Sequence, residues 1–527
     1  MNVLNDLKLI TINVIIDFIK YIISLTAPLF INVNFANLND ELILYIKLSS
    51  IIANFSLICF IILLIINGTF NFFFKSNSKF LKLIKFINLL IINVLTIIYL
   101  LKFIVSLKLE QILGVHIYSI KYNFFLNNGE NFKYYIIFSS SLSDAIIILS
   151  LITGIICLEL LGLKNLFKNI HNISVFFLFN IFVIIMTTTN NLLVMFLSFE
   201  LIFFPTIYFV YKLGYSKKID KATEILFYWT LFGSSLILCV LSYIYYNYNS
   251  LNYIALTNVK FSSIEMQVNF VLILVGFGIK IPLVPFHFWL LKAHVESPTA
   301  FSIFLSGFLV KSSLYCLFML LNLFGTTLNY YFLSIWIFFS LIVATFGLAR
   351  TTDIKKLIAW ATIQEMTFML LFLIFKQMFI SNVCILFLVL HGLMSSYMFF
   401  IVDILQRRFK TRSLQYIKGL NILLPRLTKH IWFLILLFSG FPLTAKFIIE
   451  WHLINLMIET QAATLIYIIL FINFLGAVFF CKTMFTIIYG IQEDKDIEFI
   501  EHQKKEYILL NFLAFFILLL LWLIYTL

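Results

Sequence analysis

Residues 276–299 read GFGIKIPLVPFHFWLLKAHVESPT, and this stretch decides the fold of the 527-residue chain. It begins inside an apolar run, yet it contains Lys280, His287 and the prolines Pro282 and Pro285. A lysine at bilayer depth costs about 2.5–3.5 kcal/mol on insertion scales, so it normally lines an internal cavity or meets a partner. The prolines lack backbone donors and break a helix, which lipid-facing backbone does not tolerate. The stretch therefore predicts a discontinuous helix inside a membrane domain, on an ion path.

The composition of the whole chain is typical of a polytopic helical membrane protein. The sequence is 62% hydrophobic and only 12% charged, and apolar runs of about 20 residues recur from end to end. The net charge of +13 does not indicate nucleic acid, because the basic residues lie between the apolar runs. The six cysteines occur singly, without CxxC or ligand spacing, which argues against disulfides and metal sites. The bias toward Phe, Ile, Leu, Asn, Lys and Tyr suggests an AT-rich organellar genome.

Hydropathy predicts about fourteen transmembrane spans. They cover residues 42–67, 83–106, 134–162, 173–188, 190–213, 222–246, 267–290, 298–325, 329–349, 355–376, 380–404, 427–451, 460–490 and 506–526. An apolar stretch in residues 1–41 predicts an extra helix in an N-terminal extension. The loop 491–506 is the most polar segment and is expected to be solvated.

The basic residues predict the orientation of these spans. Loops after odd-numbered spans hold roughly twenty-five Lys and Arg, and loops after even-numbered spans hold roughly five. The odd-numbered spans therefore end on the positive-inside face, which is the cytoplasm or the mitochondrial matrix. An even span count places the end of the last span on the opposite face.

Two five-helix units can be superimposed within this pattern. Spans 4–8 and 9–13 each hold an odd number of helices, so the two units must have opposite topology. On that register Glu200 in span 5 matches Glu365 in span 10, and the broken span 7 matches a break near Pro442 in span 12. Interrupted helices in equivalent positions point to a midplane ion site in inverted-repeat transporters. The predicted fold is thus an all-α membrane protein with two inverted repeats.

The chain is divided accordingly into five parts. They are an N-terminal extension (1–41), spans 1–3 (42–172), a first antiporter-like repeat (173–325), a second repeat (329–490), and a polar loop with the last span (491–527).

Five ionisable residues lie well inside predicted spans and are the candidates for function, and they are Glu200, Lys280, Lys311, Glu365 and Glu450. A buried ion pair rarely gains stability over a hydrophobic pair, so a Glu200–Lys280 pair favours function over structural glue. If Glu200 moves away or is protonated, the proton affinity of Lys280 changes. Lys311 lies mid-span without a carboxylate in its own span, which favours a water-connected relay over a snorkelling lysine.

Other positions keep two interpretations open. Glu450 is either an interfacial carboxylate or a transfer site, and Lys446, four residues before it, lies on the same helical face and can pair with it. His391 in span 11 is either a proton relay or a hydrogen-bonded structural histidine. His287 and His294 flank the break in span 7 and are expected to fix its geometry.

Five segments within residues 190–455 resemble a known family. They are GIKIPLVPFHFWLLKAHVESPTAFSIFLSGFLVKSSLY, FELIFFP, ARTTDIKKLIAWATI, HGLMSSYMFF and GFPLTAKFIIEW. They are similar to the antiporter-like membrane subunits of proton-pumping NADH:ubiquinone oxidoreductase, respiratory complex I. The string WLLKAHVESP resembles subunit 4, whereas subunits 2 and 5 carry other residues there.

The resemblance implies a proton pathway through Glu200, Lys280, Lys311 and Glu450. Glu200 would control the protonation of Lys280, Lys311 would relay protons along a hydrated axis, and Glu450 would pass them to the far side. The family usually has a histidine in span 10, where this chain has Gln364-Glu365-Met366. Either Glu365 or water would then connect Lys311 to Glu450.

The resemblance also implies a setting for the chain. It would be a subunit of a proton-translocating NADH:ubiquinone reductase in the mitochondrial inner membrane, or alternatively in a bacterial plasma membrane. It would hold no cofactor and do no redox chemistry, because FMN, iron–sulfur clusters and ubiquinone would lie in partner subunits. Its partners would be lipids and other membrane-arm subunits, including neighbouring antiporter-like subunits, and no nucleic acid.

Three hypotheses follow from the buried charges and the resemblance. The first is the proton-pumping subunit, and the second is a subunit of a multi-subunit sodium/proton antiporter, whose charges would fit equally well. The third is a membrane scaffold in which the charges only join helices. The WLLKAHVESP string and the organelle-like composition favour the first.

Overall fold

The described part of the chain is built almost entirely from helices. The computed structural model describes residues 40–73, 78–113, 118–119, 123–125, 131–133, 138–163, 171–214, 218–257, 259, 261–323, 331–374, 382–459, 463–491 and 504–526. The helix predicted within residues 1–41 lies outside these residues, apart from the first two residues of α1.

The helices follow the predicted apolar runs closely. They are α1 (Asp40–Phe73), α2 (Ser78–Leu113), α3 (Ser141–Leu163), α4 (His171–Thr188), α5 (Leu192–Leu213), α6 (Ile219–Tyr248), α7 (Tyr253–Thr257), α8 (Ser263–Lys280), α9 (Phe288–Glu296), α10 (Thr299–Phe304), α11 (Val310–Leu321), α12 (Tyr331–Arg350), α13 (Ile354–Ile374), α14 (Asn382–Phe409), α15 (Leu420–Leu423), α16 (Pro425–Phe438), α17 (Ala445–Glu459), α18 (Ala463–Tyr489) and α19 (Lys504–Thr526). A π-helical turn, Leu305–Leu309, joins α10 to α11.

Eight helical segments in the described residues are long and apolar enough to cross a membrane. They are Ile87–Leu107, Ser141–Leu160, Leu192–Lys212, Ile219–Tyr248, Thr299–Leu321, Val383–Phe409, Tyr467–Tyr489 and Lys505–Ile524. The segments on α3, α10–α11 and α14 lie wholly inside the molecule, whereas those on α18 and α19 expose most of their apolar side chains. An apolar outer surface around a buried helical centre is the arrangement that lipid requires. The prediction of an all-α membrane protein is confirmed at this level.

Four short strands lie between α2 and α3. They are β1 (Tyr118–Ser119), β2 (Asn123–Phe125), β3 (Asn131–Lys133) and β4 (Phe138–Ser139), and β1 pairs antiparallel with β4 as β2 does with β3. The predicted start of span 3 at residue 134 is therefore wrong. The helix begins at Ser141 because the Ser140 and Ser143 hydroxyls each accept the other's backbone N–H at 3.0 Å, which caps the first turn. Hydropathy missed this boundary because the residues before it are also apolar.

Both predicted helix breaks are present. Between α8 and α9, the indole of Trp289 donates to the Ile279 carbonyl at 2.7 Å, and that of Trp336 donates to the Val284 carbonyl at 2.5 Å. Between α16 and α17, Gly440 adopts φ = +64°, a conformation that favours glycine. Broken backbone at membrane depth must find such internal partners, because lipid offers none.

Two glycines allow the backbones at the centre of the molecule to approach each other closely. A Cβ built on Gly307, in the π-helical turn, would lie 2.7 Å from Thr153 of α3 and 3.3 Å from the Gly392 carbonyl of α14. A Cβ on Gly392 would in turn lie 2.8 Å from the Gly307 carbonyl. Only residues without a side chain allow this approach. It holds the π-helical turn, which leads into the Lys311 helix α11, against α14, which carries His391.

Candidate functional site: a line of buried charges

The first charged pair joins α5 to the end of α8. The ammonium of Lys280, the last residue of α8, binds Oε1 of Glu200 on α5. Lys280 is completely buried, and the Glu200 side chain retains 20% exposure. The hydroxyl of Ser234 on α6 donates to the other carboxylate oxygen, Oε2, at 2.7 Å. Three helices thus converge on one carboxylate.

Aromatic rings surround the same ammonium. The Lys280 Nζ lies 4.3 Å from the ring centroid of Phe199 and 4.9 Å from that of Phe203. Cation–π contacts of this kind stabilise a desolvated ammonium. The helix α8 ends at Lys280, and the side chain of this last residue crosses to Glu200 on α5.

Lys311 occupies the buried centre without an ion-pair partner among the described residues. It is completely buried on α11, and its ammonium donates to the main-chain carbonyl of Ser306. Ser306 belongs to the π-helical turn, where the altered backbone bonding leaves carbonyls available to other donors. The interpretation as a snorkelling lysine is wrong, because a fully buried side chain reaches no interface.

A second cluster joins α13 to α17. The Lys446 ammonium lies 2.6 Å from Glu365 Oε1 and 3.5 Å from Glu450 Oε1, so it bridges two carboxylates. Asn473 on α18 donates to Glu450 Oε1 at 2.7 Å. A Cβ on Gly440 would lie 2.6 Å from Glu450 Oε2, so the helix break contacts this carboxylate directly. The predicted Lys446–Glu450 pairing is confirmed, and Glu365 is the nearer partner.

The histidines are held by packing as much as by hydrogen bonds. His391 on α14 is buried, and its Nδ1 has no hydrogen-bond partner within the described residues. The ring nitrogens of His294 have none there either, and its ring stacks on Phe399 with centroids 4.7 Å apart. His287 packs against Trp360 with a centroid distance of 4.9 Å. A buried imidazole with an unused nitrogen can accept or pass a proton once water reaches it.

The structure brings four of the predicted site residues into two clusters and buries the other two on central helices. Glu200 and Lys280 touch, Glu365 and Glu450 meet through Lys446, and Lys311 and His391 lie on the central helices α11 and α14. Two ion-paired clusters and two buried central side chains thus make up the line of charges, which comprises Glu200, Lys280, Lys311, His391, Glu365, Lys446 and Glu450.

Sequence reasoning missed one buried ion pair outside this line. Lys102 on α2 lies 2.7 Å from Asp144 on α3, and both side chains are almost completely buried. Lys102 is near the end of its predicted span, and Asp144 lies in the first turn of α3, whose start was predicted too early. Only the packing of α2 against α3 brings them together.

The expectation that residues 491–506 are solvated is wrong at its last residue. Glu506 is fully buried in the first turn of α19, 2.7 Å from Arg407 and 3.0 Å from Arg408 of α14. The two guanidinium groups compensate the buried carboxylate. This contact attaches the last helix to the centre of the molecule.

Comparison with known proteins defines the class first. The family model described as NADH:quinone oxidoreductase/Mrp antiporter, TM, matches residues 189–476, which include every predicted site residue. The chain belongs to this family.

Individual relatives then show which members of the family the chain resembles. NADH-ubiquinone oxidoreductase chain 4 of Paramecium tetraurelia is 32% identical over 387 residues, which is 73% of this chain and 80% of that protein. The protein of the same name from Acanthamoeba castellanii is 31% identical over 54% of this chain and 57% of its own length. The resemblance to subunit 4 found in the sequence is thereby confirmed.

Solved structures show the same fold at low identity. A chain of respiratory complex I from Thermus thermophilus aligns with a TM-score of 0.69 at 16% identity, over 88% of this chain and 96% of that one. A chain of the Mrp complex from Dietzia sp. aligns with a TM-score of 0.72 at 14% identity, over 84% and 81%. The antiporter-like fold is common to both.

Proposed function

We propose that this chain is the proton-translocating subunit 4 in the membrane arm of an NADH:ubiquinone oxidoreductase. One observation carries the proposal: a fully buried lysine, Lys280, is paired with Glu200 at a broken helix, in a chain 32% identical to chain 4 of Paramecium. Ionisable groups at this depth are costly and mark ion pathways in membrane proteins.

The line of charges suggests the order of events. Separation of Glu200 from Lys280 lowers the stabilisation of the ammonium, so that Lys280 releases its proton toward Lys311. Lys311 has no ion-pair partner within the described residues and passes the proton on through His391 and water. Glu365 accepts it, and Glu450, beside the second break, delivers it to the far face. Glu365 thus takes the place of the histidine that the family usually has in span 10.

We further propose fourteen spans, in which three N-terminal spans precede two inverted five-helix repeats and one last span follows them. Two observations support this register. Glu200 and Lys280 are separated by 80 residues and Glu365 and Lys446 by 81, and each pair lies beside a broken helix. A repeat with the same internal spacing of acid, base and break would produce this pattern.

The energy for pumping comes from outside this chain in the proposed scheme. Moving one charge against the membrane potential costs about 2.3 kcal/mol per 100 mV. Electron transfer through FMN, iron–sulfur clusters and ubiquinone in partner subunits supplies this energy, and this chain performs no redox chemistry. Its setting is the mitochondrial inner membrane, among lipids and neighbouring antiporter-like subunits. The names of its relatives support this placement, and so does the likeness of this chain to subunits of multi-subunit complexes.

Replacement of Lys280 tests the proposal. In the intact complex, Lys280→Met should lower NADH-driven proton translocation at least tenfold, because the uncharged side chain neither binds nor releases a proton. Lys292→Met is the control, since Lys292 lies exposed on α9. Proton uptake into proteoliposomes and assembly on a native gel are measured together. Wild-type pumping by an assembled Lys280→Met complex would refute the proposal.

The alternative is a subunit of a sodium/proton antiporter, and the likeness to the Mrp complex is its specific support. The relatives named NADH-ubiquinone oxidoreductase chain 4 favour the first function. Co-migration with flavin-containing subunits on a native gel separates the two, because an antiporter has no such subunits.

A further inference from the structure

Lys446 is a fully buried lysine that the pathway above does not use. Its ammonium contacts Glu365 Oε1 and the Phe438 carbonyl, each at 2.6 Å, and Glu450 Oε1 at 3.5 Å. Phe438 ends α16, so the ammonium also lies at the carbonyl end of a helix, where positive charge is stabilised. The side chain therefore spans the second break and joins α13, α16 and α17.

The surroundings of Lys446 match those of Lys280. Both lysines adjoin a helix break, and both bind a glutamate some eighty residues earlier in the chain. A phenylalanine ring lies beside each ammonium, with Phe438 4.6 Å from Lys446 and Phe199 4.3 Å from Lys280. The lysines differ in position, because Lys280 precedes its break and Lys446 follows its own.

The second cluster has a charge imbalance that the first lacks. Two carboxylates share one ammonium, so the fully ionised cluster carries a formal charge of −1. Glu365 Oε2 is buried and has no hydrogen-bond partner in the part of the chain that the structure describes. An unpaired negative charge in such surroundings is costly. One additional proton relieves the imbalance, and Glu365 Oε2 is the open place for it.

We propose that Glu365, Lys446 and Glu450 form a second proton-carrying switch, in which Lys446 is the moving carrier. The inference rests on the proposed function. A proton arriving on Glu365 neutralises that carboxylate, and the Lys446 ammonium is left paired with Glu450 alone. Lys446 gives its proton to Glu450, and the proton on Glu365 then passes to the neutral amine. Glu450 releases its proton to the far face, so that one proton enters, one leaves and the cluster returns to its first state.

Replacing Lys446 by arginine distinguishes a proton carrier from a lysine that only bridges two carboxylates. An arginine at position 446 keeps the positive charge and its hydrogen bonds to carboxylates, but it does not deprotonate in proteins. The Lys446→Arg variant should therefore assemble and yet pump protons at least tenfold more slowly than the wild type. A purely structural lysine would be replaced by arginine with little loss.

A neutral double variant gives an independent measurement. Replacing a buried ion pair by uncharged residues of similar volume is often harmless to stability, so Glu365→Gln with Lys446→Met is expected to assemble. Pumping should again fall at least tenfold. If Lys446→Arg does not assemble, Lys446→Gln takes its place, because glutamine keeps hydrogen bonds to the carboxylates without a proton to transfer. Lys429→Arg, at an exposed lysine on α16, is the control for both.

The outcomes distinguish this inference from the proposed function. Pumping within twofold of wild type, in either assembled variant, would overturn the role of Lys446. If Lys280→Met is inactive at the same time, the proposed function stands and only the second switch fails. If Lys280→Met also pumps normally, the proposed function itself fails.

Discussion

At the scale of single residues, the carboxylate of Glu200 shows how neighbouring side chains position a buried charge. Lys280 binds one of its oxygens, and the Ser234 hydroxyl donates to the other at 2.7 Å. A hydrogen bond to a charged group contributes about 1.5–3 kcal/mol. The single hydroxyl proton of Ser234 also lies within reach of the Thr230 carbonyl of its own helix, at 2.6 Å, so the carbonyl and the glutamate share it. The serine therefore orients the carboxylate toward the lysine.

Removal of this hydroxyl should weaken pumping without abolishing it. In Ser234→Ala the Lys280 ion pair remains, but Oε2 of Glu200 loses its donor, so we expect proton translocation to fall a few-fold. The adjacent Ser235→Ala is a matched control, because Ser235 is exposed and bonds only to the Phe232 carbonyl in the described structure. Proton uptake per NADH oxidised is the measurement. Equal values for the two variants would contradict an orienting role.

Sequence reasoning located individual charges well and proposed the Glu200–Lys280 and Lys446–Glu450 pairs, but it missed other partners. Glu200 and Lys280 were identified because each lies deep in an apolar run, and depth can be read from hydropathy. The Lys102–Asp144 pair was missed because it depends on how α2 packs against α3. The choice of Glu365 over Glu450 as the closer partner of Lys446 likewise depends on tertiary packing.

At the scale of elements, the breaks position the charges. Gly440 has φ = +64°, and a Cβ there would lie 2.6 Å from Glu450 Oε2. Proline and glycine predicted both breaks from the sequence, because their effects on the backbone do not depend on distant residues. The π-helical turn Leu305–Leu309 was not foreseen, since its residues read as ordinary apolar helix. Gly307 within this turn packs against Gly392, which is far away in the chain.

A methyl group at Gly440 should disturb the second cluster. A left-handed backbone costs about 1–2 kcal/mol for a residue with a Cβ, and the added carbon would also displace the Glu450 carboxylate. We expect Gly440→Ala to reduce proton translocation severalfold in complexes that still assemble. Ser439→Ala is the control, because Ser439 lies in the same break with an ordinary φ of −70°. A Gly440→Ala complex that pumps like the control would show that the break does not position Glu450.

At the scale of the whole molecule, the charges are buried by helices that are distant in sequence. The wholly buried helices α3, α11 and α14 form the centre, and the outer helices present apolar side chains such as Phe204, Phe474 and Trp522. The contact of Glu506 with Arg407 and Arg408 attaches the last helix to this centre. The membrane class and the approximate helix positions were predictable from hydropathy. The full set of ion pairs among the buried charges was not predictable, because it depends on contacts between helices that are distant in the sequence.

The central claim is that protons pass along this line, and Lys311 tests it most directly. This lysine lies at the buried centre, where no ion pair within the described residues depends on it. Its replacement by methionine therefore removes a proton site without leaving a carboxylate unpaired. Leu314→Met on the same buried helix face of α11 is the control, since it changes shape slightly and charge not at all.

The measurement is the number of protons translocated per NADH oxidised by the intact complex in sealed vesicles. The account predicts that Lys311→Met lowers this number while the assembled complex and the Leu314→Met control remain normal. An assembled Lys311→Met complex that translocates as many protons as the wild type would contradict it.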